Sequence, residues 1–232
     1  MQLLPLVMAV VPSVVLVLYF MHLDRARPEP RGEVLRAFLL GIFSTLPAFV
    51  LELVTDAFLR PWFINPVRFA LVEAFIVAAL CEEGIKLVVV RQFIYRRSHF
   101  DEVMDGILYT VAAGLGFACL ENILYVASGG MAVALTRAFT AVPLHTICSA
   151  LLGYAIGMAH FADTAEREDT LIFRGLFLAV LIHGAYDFLL FVVPYWGSGT
   201  ALGLIPLLIG ATFMVKRRVR AAIIADRRAG RS

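Results

Sequence analysis

Residues 69–90 form an apolar run of bilayer-crossing length, yet Glu82, Glu83 and Lys86 lie inside it. At about 1.5 Å of rise per residue, such a helix spans roughly the 30 Å of a hydrocarbon core. One ionised side chain near its centre costs about 2.5–3.5 kcal/mol on insertion scales, so these groups must face partners or water inside a bundle. Lys86 follows Glu83 by three residues and Glu82 by four, on the same helical face. Its ammonium neutralises one carboxylate and leaves the other for proton transfer. The plainer reading of the same triplet is a charge pair that only fixes how helices meet.

The rest of the chain agrees with a membrane setting. Of 232 residues, 61% are hydrophobic and 16% charged, and the mean hydropathy is +0.86. Soluble domains sit near 45–50% apolar and about 25% charged, so the fold class is all-α, a polytopic transmembrane helical bundle. We expect a single integral membrane domain over residues 1–232 with about seven spans, near residues 3–21, 37–58, 69–90, 106–127, 131–161, 171–193 and 202–215. The fifth is longer than a bilayer needs and contains Pro143, so it is expected to be kinked or partly interfacial. An N-out, C-in arrangement puts 16 of the 20 lysines and arginines on the cytoplasmic side and only Arg60, Arg68 and Arg137 outside, with Lys86 within the membrane. The first run precedes an Arg-rich stretch, as in a retained signal anchor. The basic tail, residues 216–232, suits anionic lipid headgroups, and nothing in the sequence calls for nucleic acid. Cys81, Cys119 and Cys148 lie in apolar segments as small buried residues, without a disulfide framework.

Depth along each helix singles out a further set of residues. Counted from one membrane face, Glu82 and Glu83 lie roughly 11–14 Å in, His183 about 18 Å, His145 near 20 Å, and Glu121 and Asp187 about 22–24 Å. Four helices therefore each carry ionisable groups at mid-membrane, and lipid can receive none of them. One shared interior site is the economical solution. His183 and Asp187 are one turn apart, so the carboxylate can orient the imidazole. Glu121-Asn122 adds a carboxylate and an amide, whereas Phe117, one turn earlier, reads as ordinary helix packing. Glu52 and Glu73 lie nearer the outer face and read as structural.

Absent motifs narrow the reaction class. There is no His-Glu-x-x-His pair and no Gly-x-Ser-x-Gly elbow, and Tyr186-Asp187 lacks the second aspartate of an intramembrane dyad, because Phe117 follows Gly114-Leu115-Gly116. No covalent nucleophile stands out. General-base activation of water by a glutamate, assisted by histidines, is the chemistry that remains. Two readings from other classes compete: a proton-coupled transporter or channel using the carboxylates as a relay, and a non-catalytic binding or immunity protein. No internal repeat supports the transporter.

Glu82-Glu83-x-x-Lys86, Phe117-x-x-x-Glu121-Asn122, His145 and His183-x-x-x-Asp187, in this order on successive spans, resemble the PrsW family of intramembrane proteases. That family is related to the CAAX prenyl protease and bacteriocin-processing group. The resemblance covers about residues 69–191 and places the catalytic core at about residues 69–193. It implies a multi-pass endopeptidase of the bacterial cell (inner) membrane acting on a membrane-anchored protein such as an anti-sigma factor. Carried over by residue, it implies Glu82 or Glu83 as the base, with Glu121, His145 and His183 in the catalytic set and Lys86, Asn122 and Asp187 in support. The wider CAAX pattern has histidine where this chain has Glu121. Both a metal-free site and a zinc held among Glu82, Glu83, Glu121, His145 and His183 therefore stay open, with no cofactor strictly required.

Overall fold

The computed structural model describes residues 3–231, and every regular element among them is helical. Helix α1 (Leu3–Leu23) leads to α2 (Arg31–Leu59) and a 3-10 turn, Arg60–Trp62. A continuous helical stretch then runs through α3 (Pro66–Val72), a π-helical segment (Glu73–Leu80) and α4 (Cys81–Phe93). After it come α5 (Val103–Phe139), α6 (Ala141–His160), α7 (Ala165–Phe191), the single turn α8 (Val193–Trp196), a 3-10 segment (Ser198–Gly203) and α9 (Leu204–Arg228).

Local chemistry sets several of these boundaries. Asn65 Oδ1 accepts the N–H groups of Val67 and Arg68, both at 3.0 Å, and Pro66 opens α3 where its missing N–H costs nothing. Thr164 caps α7 by accepting the Arg167 N–H. Five stretches are long and apolar enough to cross a membrane, and one of them, Val103–His160, contains 58 residues. That is about three times what one crossing needs. It turns back at Thr140, so that the start of α5 meets the end of α6. Residues 66–93 form a further helical stretch of crossing length that carries Arg68, Glu73, Glu82, Glu83, Lys86 and Arg91 among its apolar residues. Two passes within Val103–His160 and one through residues 66–93 bring the bundle to the seven spans expected.

Helix α5 is the axis of the molecule. Every residue from Val103 to Cys119 is buried, and α1, α2 and α6 pack around it. The approach of α6 is backbone to backbone: a Cβ on Gly106 would run into Gly153 and Gly157, and one on Gly153 into the Gly106 carbonyl. In lipid, where apolar surfaces gain nothing from avoiding water, close packing of small residues is a main source of helix association. The outer faces are apolar instead. Phe43, Phe58, Phe173, Phe177 and Phe213 are each at least 60% exposed, as a lipid-facing surface requires. Trp62 and Trp196 lie exposed at helix ends, as interfacial anchors do.

The fifth span differs from the sequence expectation. Residues 131–139 continue α5 beyond a break at Gly130, whose φ of 65° and ψ of −153° lie outside the helical range. A separate helix begins at Ala141. Pro143 does not kink it, because Pro143 falls in the first turn of α6, where the N–H that proline lacks would have had no intrahelical acceptor.

The backbone contact makes a direct prediction. Gly153→Leu should lower the stability of the purified protein by about 1–3 kcal/mol or more, as overpacking does. Gly210→Leu on α9, where nothing lies within 4 Å of an added Cβ, should leave the thermal midpoint nearly unchanged.

Candidate active site

Glu82 and Glu83 open α4 directly after the π-helical segment. A π turn holds more residues than an α turn, so it rotates the succeeding turns relative to a regular helix, and such segments recur at functional sites. Glu82, Glu83 and Lys86 here belong to the buried face of α4, together with Cys81 and Val90. Facing them, α6 supplies His145, α7 supplies His183 and Asp187, and α5 supplies Glu121 and Asn122.

The Lys86 ammonium is the hub. It donates to Glu83 Oε1 at 2.8 Å and Glu82 Oε2 at 3.1 Å, and lies 3.0 Å from His145 Nδ1. An ammonium has three donors and no acceptor, so His145 Nδ1 accepts and the ring carries its proton on Nε2. That proton points at Glu121 Oε2, 2.8 Å away. Beneath the ammonium lies the ring of Phe117, 4.2 Å from Nζ to its centroid, a cation–π contact that turns an ordinary-looking phenylalanine into part of the site. The two imidazoles meet edge to face with centroids 5.2 Å apart.

His183 is held between carboxylates. Its Nδ1 lies 2.9 Å from Glu83 Oε1 and its Nε2 lies 3.3 Å from Asp187 Oδ2. With both ring nitrogens facing acceptors, an imidazolium that donates on both sides fits the geometry. Glu83 Oε1 thus receives two partners, while Glu83 Oε2 is buried with none. One free carboxylate oxygen remains at the centre of the cluster.

Arg137 adds a counter-charge to the cluster, although its position in the sequence places it at the outer face. It lies 2.9 Å from Glu121 Oε2, donates from Nε to Asn122 Oδ1 at 2.6 Å, and stacks 4.0 Å over Tyr125. The available signal was electrostatic: Glu121 had no named counter-charge, and Arg137 was the unassigned cation nearest to it in sequence. Exposure is graded across the cluster. The side chains of Lys86 and Glu83 are fully buried, whereas Asp187, Glu121 and Arg137 are 14–17% exposed. The open side of the site is therefore the Glu121–Asp187 side.

Every residue singled out from the sequence falls within this network. Ligand atoms of Glu82, Glu83, His145 and His183 all lie within 4.8 Å of one another. Glu121, Asn122 and Asp187 form the next layer. Glu73 pairs with Arg60 at 3.3 Å, away from the cluster, and the three cysteines are buried and free.

A family model described as "PrsW family intramembrane metalloprotease" matches residues 29–215. The chain belongs to the PrsW family. It is 36% identical over 208 residues to Protease PrsW of Geobacillus kaustophilus, covering 90% of this chain and 89% of that protein. The Protease PrsW proteins of Bacillus subtilis and Halalkalibacterium halodurans are each 32% identical, over 187 and 220 residues. The first comparison covers 81% of this chain and 83% of the relative, the second 94% and 97%. No solved structure matches. This member of the PrsW family is a multi-pass intramembrane protease, and its substrate is a protein.

The family description includes a metal, and the donors here fit one. Two carboxylates and two imidazoles are the ligand types zinc takes, their donor atoms converge, and Glu83 Oε2 is buried without a hydrogen-bond partner; to bind, His183 would release one of its two ring protons.

Removing the hub should expose its structural worth. Lys86→Met leaves Glu82 and Glu83 buried without their shared cation, and breaking a buried pair in this way costs about 3–5 kcal/mol. The thermal midpoint of purified Lys86→Met should fall well below that of wild type, and adding Glu83→Gln should recover part of the loss.

Proposed function

We propose that the Glu82–Glu83–His145–His183 cluster is the proteolytic centre, and that it hydrolyses a peptide bond of a membrane-anchored regulator such as an anti-sigma factor. The observation that carries this reading is the free Glu83 Oε2, poised among two imidazoles and a second carboxylate. In the proposed reaction this oxygen takes a proton from water as the water oxygen bonds to the scissile carbonyl carbon. Lys86 and His183 hold the other oxygen of Glu83 and fix the carboxylate's orientation. Asp187 steadies His183, and Glu121, held by Arg137, steadies His145. For an imidazole to stabilise the oxyanion, its N–H would turn from its carboxylate partner as the charge develops. The proton taken by Glu83 then passes to the departing amine, so the base is restored and two chain ends are released.

Glu82, His145 and His183 are the residues that would hold zinc, with Glu83 left as the base. A zinc ion there would supply Lewis-acid polarisation of the scissile carbonyl. Substrate access from the Glu121–Asp187 side agrees with the graded exposure. We include in this reading a single integral membrane domain with residues 69–193 as its catalytic core, in a bacterial cell membrane, with the N-terminus outside. The excess of lysine and arginine on the opposite side supports that orientation.

Glu82→Ala, Glu83→Ala and His183→Ala should each slow cleavage of a co-expressed single-span substrate by about 10²-fold or more while the protein still accumulates. Wild-type cleavage in all three would overturn the assignment. If the centre holds zinc, elemental analysis of purified wild-type protein should find about one equivalent per chain, lost in His145→Ala.

A further inference from the structure

A second group of carboxylates lies at the other end of α5. Asp24 follows α1, Glu102 is the N-cap of α5 and Asp105 sits three residues later in its first turn. All three are at least 96% buried, and a carboxylate oxygen from each lies within 4.8 Å of the others. Asp105 is roughly 24 Å along α5 from Glu121 at 1.5 Å per residue, so this group is separate from the proteolytic cluster.

Helix capping accounts for only part of it. Asp105 Oδ2 accepts the N–H groups of Asp101 and Glu102 at 2.8 and 2.6 Å, and the Glu102 side chain accepts the N–H of Asp105 in a reciprocal capping box. Asp226 of α9 takes the next two, Val103 N–H at 2.8 Å and Met104 N–H at 3.0 Å. The first-turn donors of α5 are therefore already occupied. Left over are Asp24 Oδ2, Glu102 Oε1 and Asp105 Oδ1, each buried and each without a hydrogen-bond partner. Three buried oxygens without a hydrogen bond in one carboxylate cluster are costly, because each has lost its water without gaining a donor.

Nearby cations do not cover the deficit. Arg27 reaches Asp101 at 2.8 Å and the Arg231 carbonyl at 2.9 Å, and stays 3.9 Å from Glu102 Oε1. Arg231 lies 3.7 Å from Asp226. Glu29, which accepts from the Tyr109 hydroxyl, adds another acid beside them.

We propose that Asp24, Glu102 and Asp105 form a binding site for a hard divalent cation of the Mg²⁺ or Ca²⁺ class, which joins the end of α1 to the start of α5. The donor set is oxygen only, as such ions prefer, and no sulfur or imidazole belongs to it to favour a softer metal. Because Asp226 bridges α9 to the same turn, a bound ion would stiffen the junction of three helices. The rival state is proton uptake: burial and neighbouring carboxylates push the Asp24 carboxyl up to about 8 and that of Glu102 to about 7.

Full-length protein, purified in detergent, stripped with EDTA and dialysed free of it, should be titrated separately with Ca²⁺ and Mg²⁺ by equilibrium dialysis and thermal unfolding. The site predicts saturable uptake of about one ion per chain with a raised thermal midpoint. Asp24→Asn, which leaves both α5 caps intact, should weaken binding about tenfold or more, while Glu83→Gln in the proteolytic cluster should bind as wild type does. No saturable uptake of either ion, or equal uptake by Asp24→Asn, would overturn the proposal and leave the three carboxyls as shared-proton acids.

Discussion

Everything in this bundle is arranged around one ammonium that has no access to water. Lys86 Nζ lies within 3.1 Å of Glu82, Glu83 and His145, and desolvating any of these groups alone would cost several kcal/mol. The expense is recovered only if all the partners arrive together with good geometry. That condition ties α4 to α6 directly and, through His183 and Glu121, to α7 and α5. The cluster thus acts as a register pin for four helices as well as the proposed chemical centre. These two roles have the same origin: the fields that hold the imidazoles and carboxylates in place are the fields a hydrolytic transition state needs, and in a dry interior they are weakly screened.

Placement of the cluster depends on how closely the helices pack. Helix α5 carries small residues where α6 crosses it, so the two backbones come nearly into contact and His145 reaches Glu121 without a long side chain on either side. The π-helical segment before Cys81 adjusts the facing of the acidic pair. Where α6 begins, Pro143 sits in the first turn two residues before His145 and leaves the hydrogen bonds of that helix intact. Glu121, Asp187 and Arg137, at 14–17% exposed, form a more open edge of the cluster than Lys86 and Glu83.

Much of this was legible in the sequence because charge in an apolar run is a rare and demanding signal. Glu82, Glu83, Lys86, Glu121, His145, His183 and Asp187 stood out for that reason, and a shared depth was enough to draw them together. Arg137 was missed because counting basic residues for topology treats each one as solvent-facing, although a guanidinium can reach inward to a buried acid. The π-helical segment left no trace, since Glu73 to Leu80 contains neither glycine nor proline; in the structure it packs against α2 and α7. The break near the α5–α6 boundary was marked by Gly129-Gly130, but Pro143 is the louder signal in the same stretch. A proline in the first turn of a helix and a proline in its middle look alike until the helix start is known.

The most direct test of a cooperative centre is a double-mutant cycle on turnover of a single-span substrate, comparing Glu83→Gln, His183→Gln and the pair. Residues that act as one unit lose their effect together, so the double variant should be about as slow as the slower single variant. Losses that multiply would mean that the two residues contribute independently, and would contradict a centre built on their shared hydrogen bond.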